Sequence, residues 1–133
     1  MKYKRLPKEE LNNLEKEFIE FLVINGISAE DWIKIKDEEH ETAEDLIDQF
    51  SDVVWEGVLR KTNYLVKLEN QIAYYFKCDP DDIHLIRVTE VNGKAIQEVA
   101  SKKYIKVRET EIFEMIENGC EISDSNSYEM LSQ

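Results

Sequence analysis

Apolar residues Leu11, Leu14, Phe18, Phe21 and Leu22 recur three and four positions apart behind Leu6-Pro7 and stop before Gly26. That spacing, with proline in the first turn and glycine past the end, predicts a helix over about 7–25. Ser28-Ala29-Glu30-Asp31 has the form of a capping box ahead of Trp32, Ile33 and Ile35, which predicts a short second helix over about 29–37. Asp37-Glu38-Glu39-His40-Glu41 holds no apolar residue and reads as an exposed connection, with Thr42 as the next N-cap and Asp45 three positions on. A third helix follows over about 43–61, its buried stripe formed by Ala43, Leu46, Ile47, Phe50, Val53, Val54, Gly57 and Val58. Gly57 costs such a helix about 1 kcal/mol relative to alanine, so its expected use is the close approach of another backbone beside Trp55.

After Asn63 the pattern changes. Tyr64–Leu68, Ile72–Cys78 and Ile83–Val91 are alternating or continuous apolar runs rich in β-branched and aromatic residues, and they predict three antiparallel strands. Glu69-Asn70-Gln71 and Asp79-Pro80-Asp81-Asp82 are polar breaks, and Asn92-Gly93 is a strong hairpin signal. If that turn closes a hairpin, residues 94–99 form a fourth strand; otherwise Lys94–Lys103 is helical. Glu111–Glu117 with Gly119 behind it reads as the end of a helix that begins near Arg108. The serine-rich acidic tail from Ser123 is either a short docked turn or a mobile end. The fold class expected is α+β: a three-helix N-terminal unit packed on a small antiparallel sheet of three or four strands, with a C-terminal helix.

A chain of 133 residues with 42% apolar content is expected to form one domain over 1–133, with 122–133 as a mobile tail if that segment does not dock. No window reaches the apolar length of a membrane span, and the start lacks the apolar run of a signal peptide. Cys78 and Cys120 form no CxxC pair and read as buried free thiols of a cytoplasmic protein. The net charge of −12 argues against direct contact with a nucleic-acid backbone. Charge is uneven, since Lys94, Lys102, Lys103, Lys106 and Arg108 meet only Glu98 within residues 94–108. The expected use of that patch is to neutralise the chain's own acidic helices.

The main candidate for chemistry is a ladder on the third predicted helix, where Glu44, Asp48, Asp52 and Glu56 recur every fourth residue with His40 one step earlier. Like charges at that spacing repel by about 0.2–0.5 kcal/mol per pair, so something positive is expected to meet them. The counterpart is a solvated or internal one such as residues 102–108, a basic partner, or a cation. A cation needs oxygens that converge, whereas one helix face sets them in a row. Asp79, Asp81 and Asp82 with Glu90 resemble a calcium loop, but Ile83 and His84 stand where it needs an oxygen ligand and a glycine. They read as an exposed turn. Cys78 with His84 is a conceivable dyad across that turn, and Tyr74, Tyr75 and Phe76 read as packing residues. No cofactor is expected.

The segments Met1-Lys-Tyr-Lys-Arg-Leu6, Phe50-Ser-Asp-Val-Val-Trp-Glu-Gly-Val-Leu59 and Ile122-Ser-Asp-Ser-Asn-Ser-Tyr128 resemble a family of short acidic bacterial proteins that carries only a domain-of-unknown-function label. The resemblance implies a cytoplasmic bacterial protein and supplies no catalytic residue. With no catalytic set to explain the ladder, the function expected is a non-enzymatic protein-binding or adaptor domain, inhibitor- or immunity-like in one form. Its acidic face, Glu44, Asp48, Asp52, Trp55 and Glu56, would engage a basic protein surface. The alternatives are a small metal-dependent hydrolase using those carboxylates with His40, and a structural subunit of a larger complex.

Overall fold

A computed structural model describes all residues, 1–133. The chain forms two compact units, Met1–Gly57 and Val58–Gln133. No helix is long and apolar enough to cross a membrane.

The first unit is helical: α1 Lys8–Asn13, α2 Glu15–Ile24, α3 Ala29–Glu38 and most of α4 His40–Lys61. The helix expected over 7–25 is two helices, because Leu14 takes φ −106°, ψ 23° and interrupts the ladder. A break of one residue leaves apolar residues on the same stripe, so periodicity cannot register it. α2 closes in a Schellman motif, with Gly26 at φ 78° and Ile27 N–H donating to the Leu22 carbonyl at 2.8 Å. The capping box is present as expected: Asp31 N–H donates to Ser28 Oγ at 3.1 Å, and Ser28 N–H to Asp31 Oδ2 at 3.3 Å. The connection expected over 37–41 shrinks to Glu39, and Thr42 lies inside α4 rather than at its cap. A charged run without apolar residues marks exposure, not loss of helix, since glutamate and lysine are good helix formers.

Four aromatic rings centre this unit. Phe18 meets Trp32 at 5.0 Å and Phe50 at 5.1 Å, both edge-on, and Phe21 lies 5.5 Å from Phe50. Ala43, Leu46 and Phe50 are buried, but the stripe expected on this helix is too wide: Val53 is 57% exposed. Ser51, omitted from that stripe, is fully buried; its hydroxyl donates to the Ile47 carbonyl at 2.9 Å and accepts Leu6 N–H at 3.1 Å. Gly57 has nothing within 4 Å of where a Cβ would sit, so no backbone approaches it.

The second unit is an antiparallel five-stranded sheet with two helices. Its elements are β1 Tyr64–Glu69, β2 Ile72–Cys78, β3 Asp82–Val91, β4 Lys94–Lys103, α5 Arg108–Glu117, β5 Glu121–Ile122 and α6 Ser125–Leu131. The strand order is β4-β3-β2-β1-β5. Asn92 (φ 52°) and Gly93 (φ 79°) make the two-residue turn with both centres left-handed, which settles residues 94–103 as a strand and not a helix. Gly119 (φ 106°) caps α5 as expected, and Cys120 N–H donates to the Met115 carbonyl at 3.0 Å. β5 was not foreseen, and the tail expected as a docked turn or a mobile end carries the helix α6. β5 is only two residues paired to β1, and α6 is started by Asp124, whose carboxylate accepts Asn126 N–H at 3.0 Å.

Alternation assigns the sheet's two faces. Leu65, Phe76 and Leu85 are neighbours in register on one, where Phe76, Leu85 and Met115 of α5 line a cleft of about 420 Å³. The other face carries Tyr64 and Lys77, and Glu129 of α6 docks there, bonded to the Tyr64 hydroxyl at 2.7 Å and Lys77 Nζ at 2.9 Å.

Candidate functional site

α4 carries all five candidate residues, and the chain's own first residues lie along them. The backbone amides of Lys2 and Tyr3 donate to the two oxygens of Asp52 at 2.7 and 2.8 Å. The Tyr3 hydroxyl donates to Glu56, and Lys2 Nζ is 3.4 Å from the same carboxylate. Arg5 spans two turns of the helix: Nε donates to Asp48 Oδ1 at 2.8 Å, and its other nitrogens reach the Glu44 carboxylate and the Glu44 carbonyl. The ammonium of Lys4 lies 5.8 Å from the centre of the Trp55 ring, within cation–π range. Leu6 ends the strap, its side chain buried.

Charge explains the arrangement. Four carboxylates one helical turn apart repel one another, and each is half-buried where residues 2–6 cover it. A strap bearing Lys2, Lys4 and Arg5 offsets that repulsion, and two of its amides give charge-assisted hydrogen bonds to Asp52. The Arg5 guanidinium is held above its ordinary pKa by hydrogen bonds to Asp48 and then Glu44. His40, 82% exposed, sits 3.7 Å from Glu44 at the far end of the row. The oxygens stand in line along the helix and point at cations, backbone amides and the tyrosine hydroxyl of residues 2–5. Nowhere does a group of three or more His, Cys, Asp or Glu side chains converge to hold a metal ion.

The counterpart named from sequence, residues 102–108, is spent inside the second unit. Lys102 pairs with Glu111 at 2.9 Å, Lys103 with Asp82 at 3.6 Å and Lys106 with Glu114 at 2.6 Å. Residues 2–6 were missed as occupants of the ladder. The signal lay in Lys2-Tyr3-Lys4-Arg5, three bases in four residues of a chain with twenty-nine acids.

Arg108 is the second residue whose role is not legible in the sequence. Its side chain is 13% exposed, and its guanidinium donates to the carbonyls of Leu59 (3.1 Å), Cys78 (3.0 Å), Asp79 (3.3 Å) and Thr62. It therefore caps the end of α4 and fixes the end of β2 to it. The Cys78–His84 dyad does not form. Cys78 pairs with Ile83 and lies on the opposite face from His84, and burial pushes its thiol up to about 11. Cys120 is likewise buried, and its thiol is raised by burial. Iodoacetamide at pH 8 is expected to leave both thiols unmodified in the folded protein and to alkylate both in denaturant, counted by intact mass.

His84 instead joins Asp79 to Ser101. Its Nε2 lies 3.1 Å from Asp79 Oδ2 and its Nδ1 2.6 Å from Ser101 Oγ. A carboxylate only accepts, so Nε2 donates to Asp79, and in the neutral ring Nδ1 accepts the serine hydroxyl. Ser101 is exposed, and the side chains of Asp79 and His84 are 43% and 30% so. Water there competes for the hydroxyl and weakens any developing charge interaction, and the array serves to tether β4 to the β2–β3 turn. Glu129 lies below the usual carboxylate range because Lys77 and the Tyr64 hydroxyl bond it. Its hold on α6 is thus present above the ordinary glutamate value and lost as pH falls through the depressed one.

Fold and site together define an α+β protein with an antiparallel five-stranded sheet, six helices and a basic N-terminal strap bound along an acidic helix. The chain belongs to DUF6495, a family of unknown function, whose match covers residues 1–98 and 90–133. No curated protein and no solved structure matches it.

Proposed function

We propose that this is a protein-binding domain whose acidic α4 face, Glu44, Asp48, Asp52, Trp55 and Glu56, receives an extended basic segment of a partner. The observation that supports the reading is the strap itself. Residues 2–5 are a basic, extended segment, and every one of the five face residues is engaged by them. The strap thus displays the ligand chemistry the face accepts: a positive charge for each end of the ladder, an aromatic hydroxyl for Glu56 and free amides for Asp52. A partner of that chemistry competes with the strap, so its affinity is set by the difference between two similar sets of contacts. An inhibitor of a basic enzyme is one form of such a domain. The setting proposed is the bacterial cytoplasm, which two free buried thiols suit.

The test uses a labelled peptide with the sequence of residues 1–7 and fluorescence anisotropy. Lys2→Ser with Arg5→Ser loosens the strap and leaves the face intact, so the peptide is expected to bind at least about tenfold tighter than to the wild type. Asp48→Lys with Asp52→Lys is expected to abolish binding, and added salt to weaken it. Equal affinity for the wild type and the strap variant would refute a face gated by its strap.

A further inference from the structure

We propose that the open edge of β4 pairs with the same edge of a second copy, joining two five-stranded sheets into one continuous antiparallel sheet about a two-fold axis at Ala100. β4 is the outermost strand. It is ten residues long, and every one of them is exposed. Its pairing with β3 runs without a bulge from Val91↔Lys94 to Asp82↔Lys103, and the strand contains no proline. An edge of this length, with neither bulge, proline nor cover, lacks most of the devices by which sheets avoid pairing edge to edge.

Which groups are open follows from the turn. A two-residue turn at Asn92-Gly93 makes Val91↔Lys94 the closing hydrogen-bonded pair, and hydrogen-bonded and non-hydrogen-bonded pairs alternate from there. The same alternation puts Asp81 opposite Tyr104 in a bonded pair, and Tyr104 N–H donates to the Asp81 carbonyl at 3.4 Å. Ala95, Gln97, Val99, Ser101 and Lys103 therefore turn both backbone groups outward, away from β3.

An isologous antiparallel edge must pair these outward residues with one another, which leaves few registers. Centring on Ala100 sets Val99 against Ser101 and Gln97 against Lys103 as the bonded pairs. Glu98 then stands directly opposite Lys102, extending across the axis the pairs these two make with Arg87 and Glu111 in their own chain, and Ile96 opposite Tyr104, each occurring twice by symmetry. These are non-hydrogen-bonded pairs, in which side chains approach most closely. Moving the axis to Glu98 sets Glu98 against itself and Lys94 against Lys102. Centring on Gln97, Val99 or Ser101 sets no opposite charges face to face. Centring on Ile96 also faces Glu98 with Lys94, but within the strand it bonds only Ala95 with Gln97, so charge and paired length together favour a second copy in the Ala100 register. Ile96 and Val99, exposed at 46% and 78%, flank the axis.

Sedimentation equilibrium of the full chain over a concentration series tests this. A reversible dimer is expected. Glu98→Lys and Lys102→Glu, each placing like charges face to face, are each expected to weaken dimerisation about tenfold or more, and the double exchange to restore it. Val99→Pro removes an outward amide without touching a β3–β4 hydrogen bond and is expected to abolish the dimer. Circular dichroism of each variant establishes that it folds. A wild type that stays monomeric throughout, or a dimer indifferent to Val99→Pro and to the charge exchange, would overturn the proposal.

Discussion

Arg108→Ala is expected to lower the unfolding free energy by about 3–4 kcal/mol, measured as a fall in urea midpoint at unchanged slope. The guanidinium is nearly buried, and four carbonyls face it, those of Leu59, Thr62, Cys78 and Asp79. Two of these belong to the last turn of α4 and the residue after it, where carbonyls have no partner within the helix. Truncation removes a donor from all four; Leu59 keeps Thr62 N–H at 3.2 Å and Asp79 keeps the Tyr104 hydroxyl at 2.8 Å, so the loss falls mainly on Thr62 and Cys78, and each unsatisfied acceptor costs about 1–3 kcal/mol before relaxation. Glu109, 2.8 Å from the guanidinium, would also lose its counter-ion. Arg108→Lys should recover less than half of the loss, because one ammonium cannot reproduce a planar fork directed at separate carbonyls. A loss below about 1 kcal/mol for the alanine variant would mean the carbonyls are already hydrated.

Phe50→Ala is expected to cost about 3–5 kcal/mol in the helical unit, seen as faster hydrogen exchange of α2 and α4 amides. Phe50 is 2% exposed, and its ring meets both Phe18 and Phe21. Removing it opens a void between α2 and α4 that three helices joined by short connections cannot close by repacking alone. Phe50→Leu should cost clearly less, since it keeps most of the volume and loses mainly the ring geometry.

These two residues differ in how far the sequence discloses them. Phe50 sits in a periodic apolar stripe, and periodicity is a property of neighbours in sequence, so its burial was legible. Arg108 was read as one charge of a basic patch, because the carbonyls that employ it lie 29 to 49 residues away. The same division runs through the fold. The capping box at Ser28, the turn at Asn92-Gly93 and the left-handed cap at Gly119 are local chemistry and were foreseen. The two-residue β5 and the docked helix α6 depend on tertiary partners: β1 for Leu65↔Ile122, and Lys77 and Tyr64 for Glu129. On α4, the five face residues follow from a four-residue repeat, whereas their occupant does not. Lys2 and Asp52 are fifty residues apart, and no spacing rule connects an extended segment to the helix face it covers.

Val53 and Gly57 show the limit of the stripe argument. Both fit the helical period, yet Val53 is exposed and Gly57 is open to solvent. The α4 side that turns inward is narrower than its apolar residues suggest, because Ser51 takes a buried place with its hydroxyl bonded to the Ile47 carbonyl and to Leu6 N–H.

The claim that the strap and a basic partner use one face is tested most directly by amide hydrogen exchange at Lys2 and Tyr3. Both amides are bonded to Asp52, and they should be protected in the protein alone, lose that protection with Asp52→Asn, and lose it again as a basic peptide saturates the wild type. Binding that leaves both amides protected would put the partner elsewhere on the molecule.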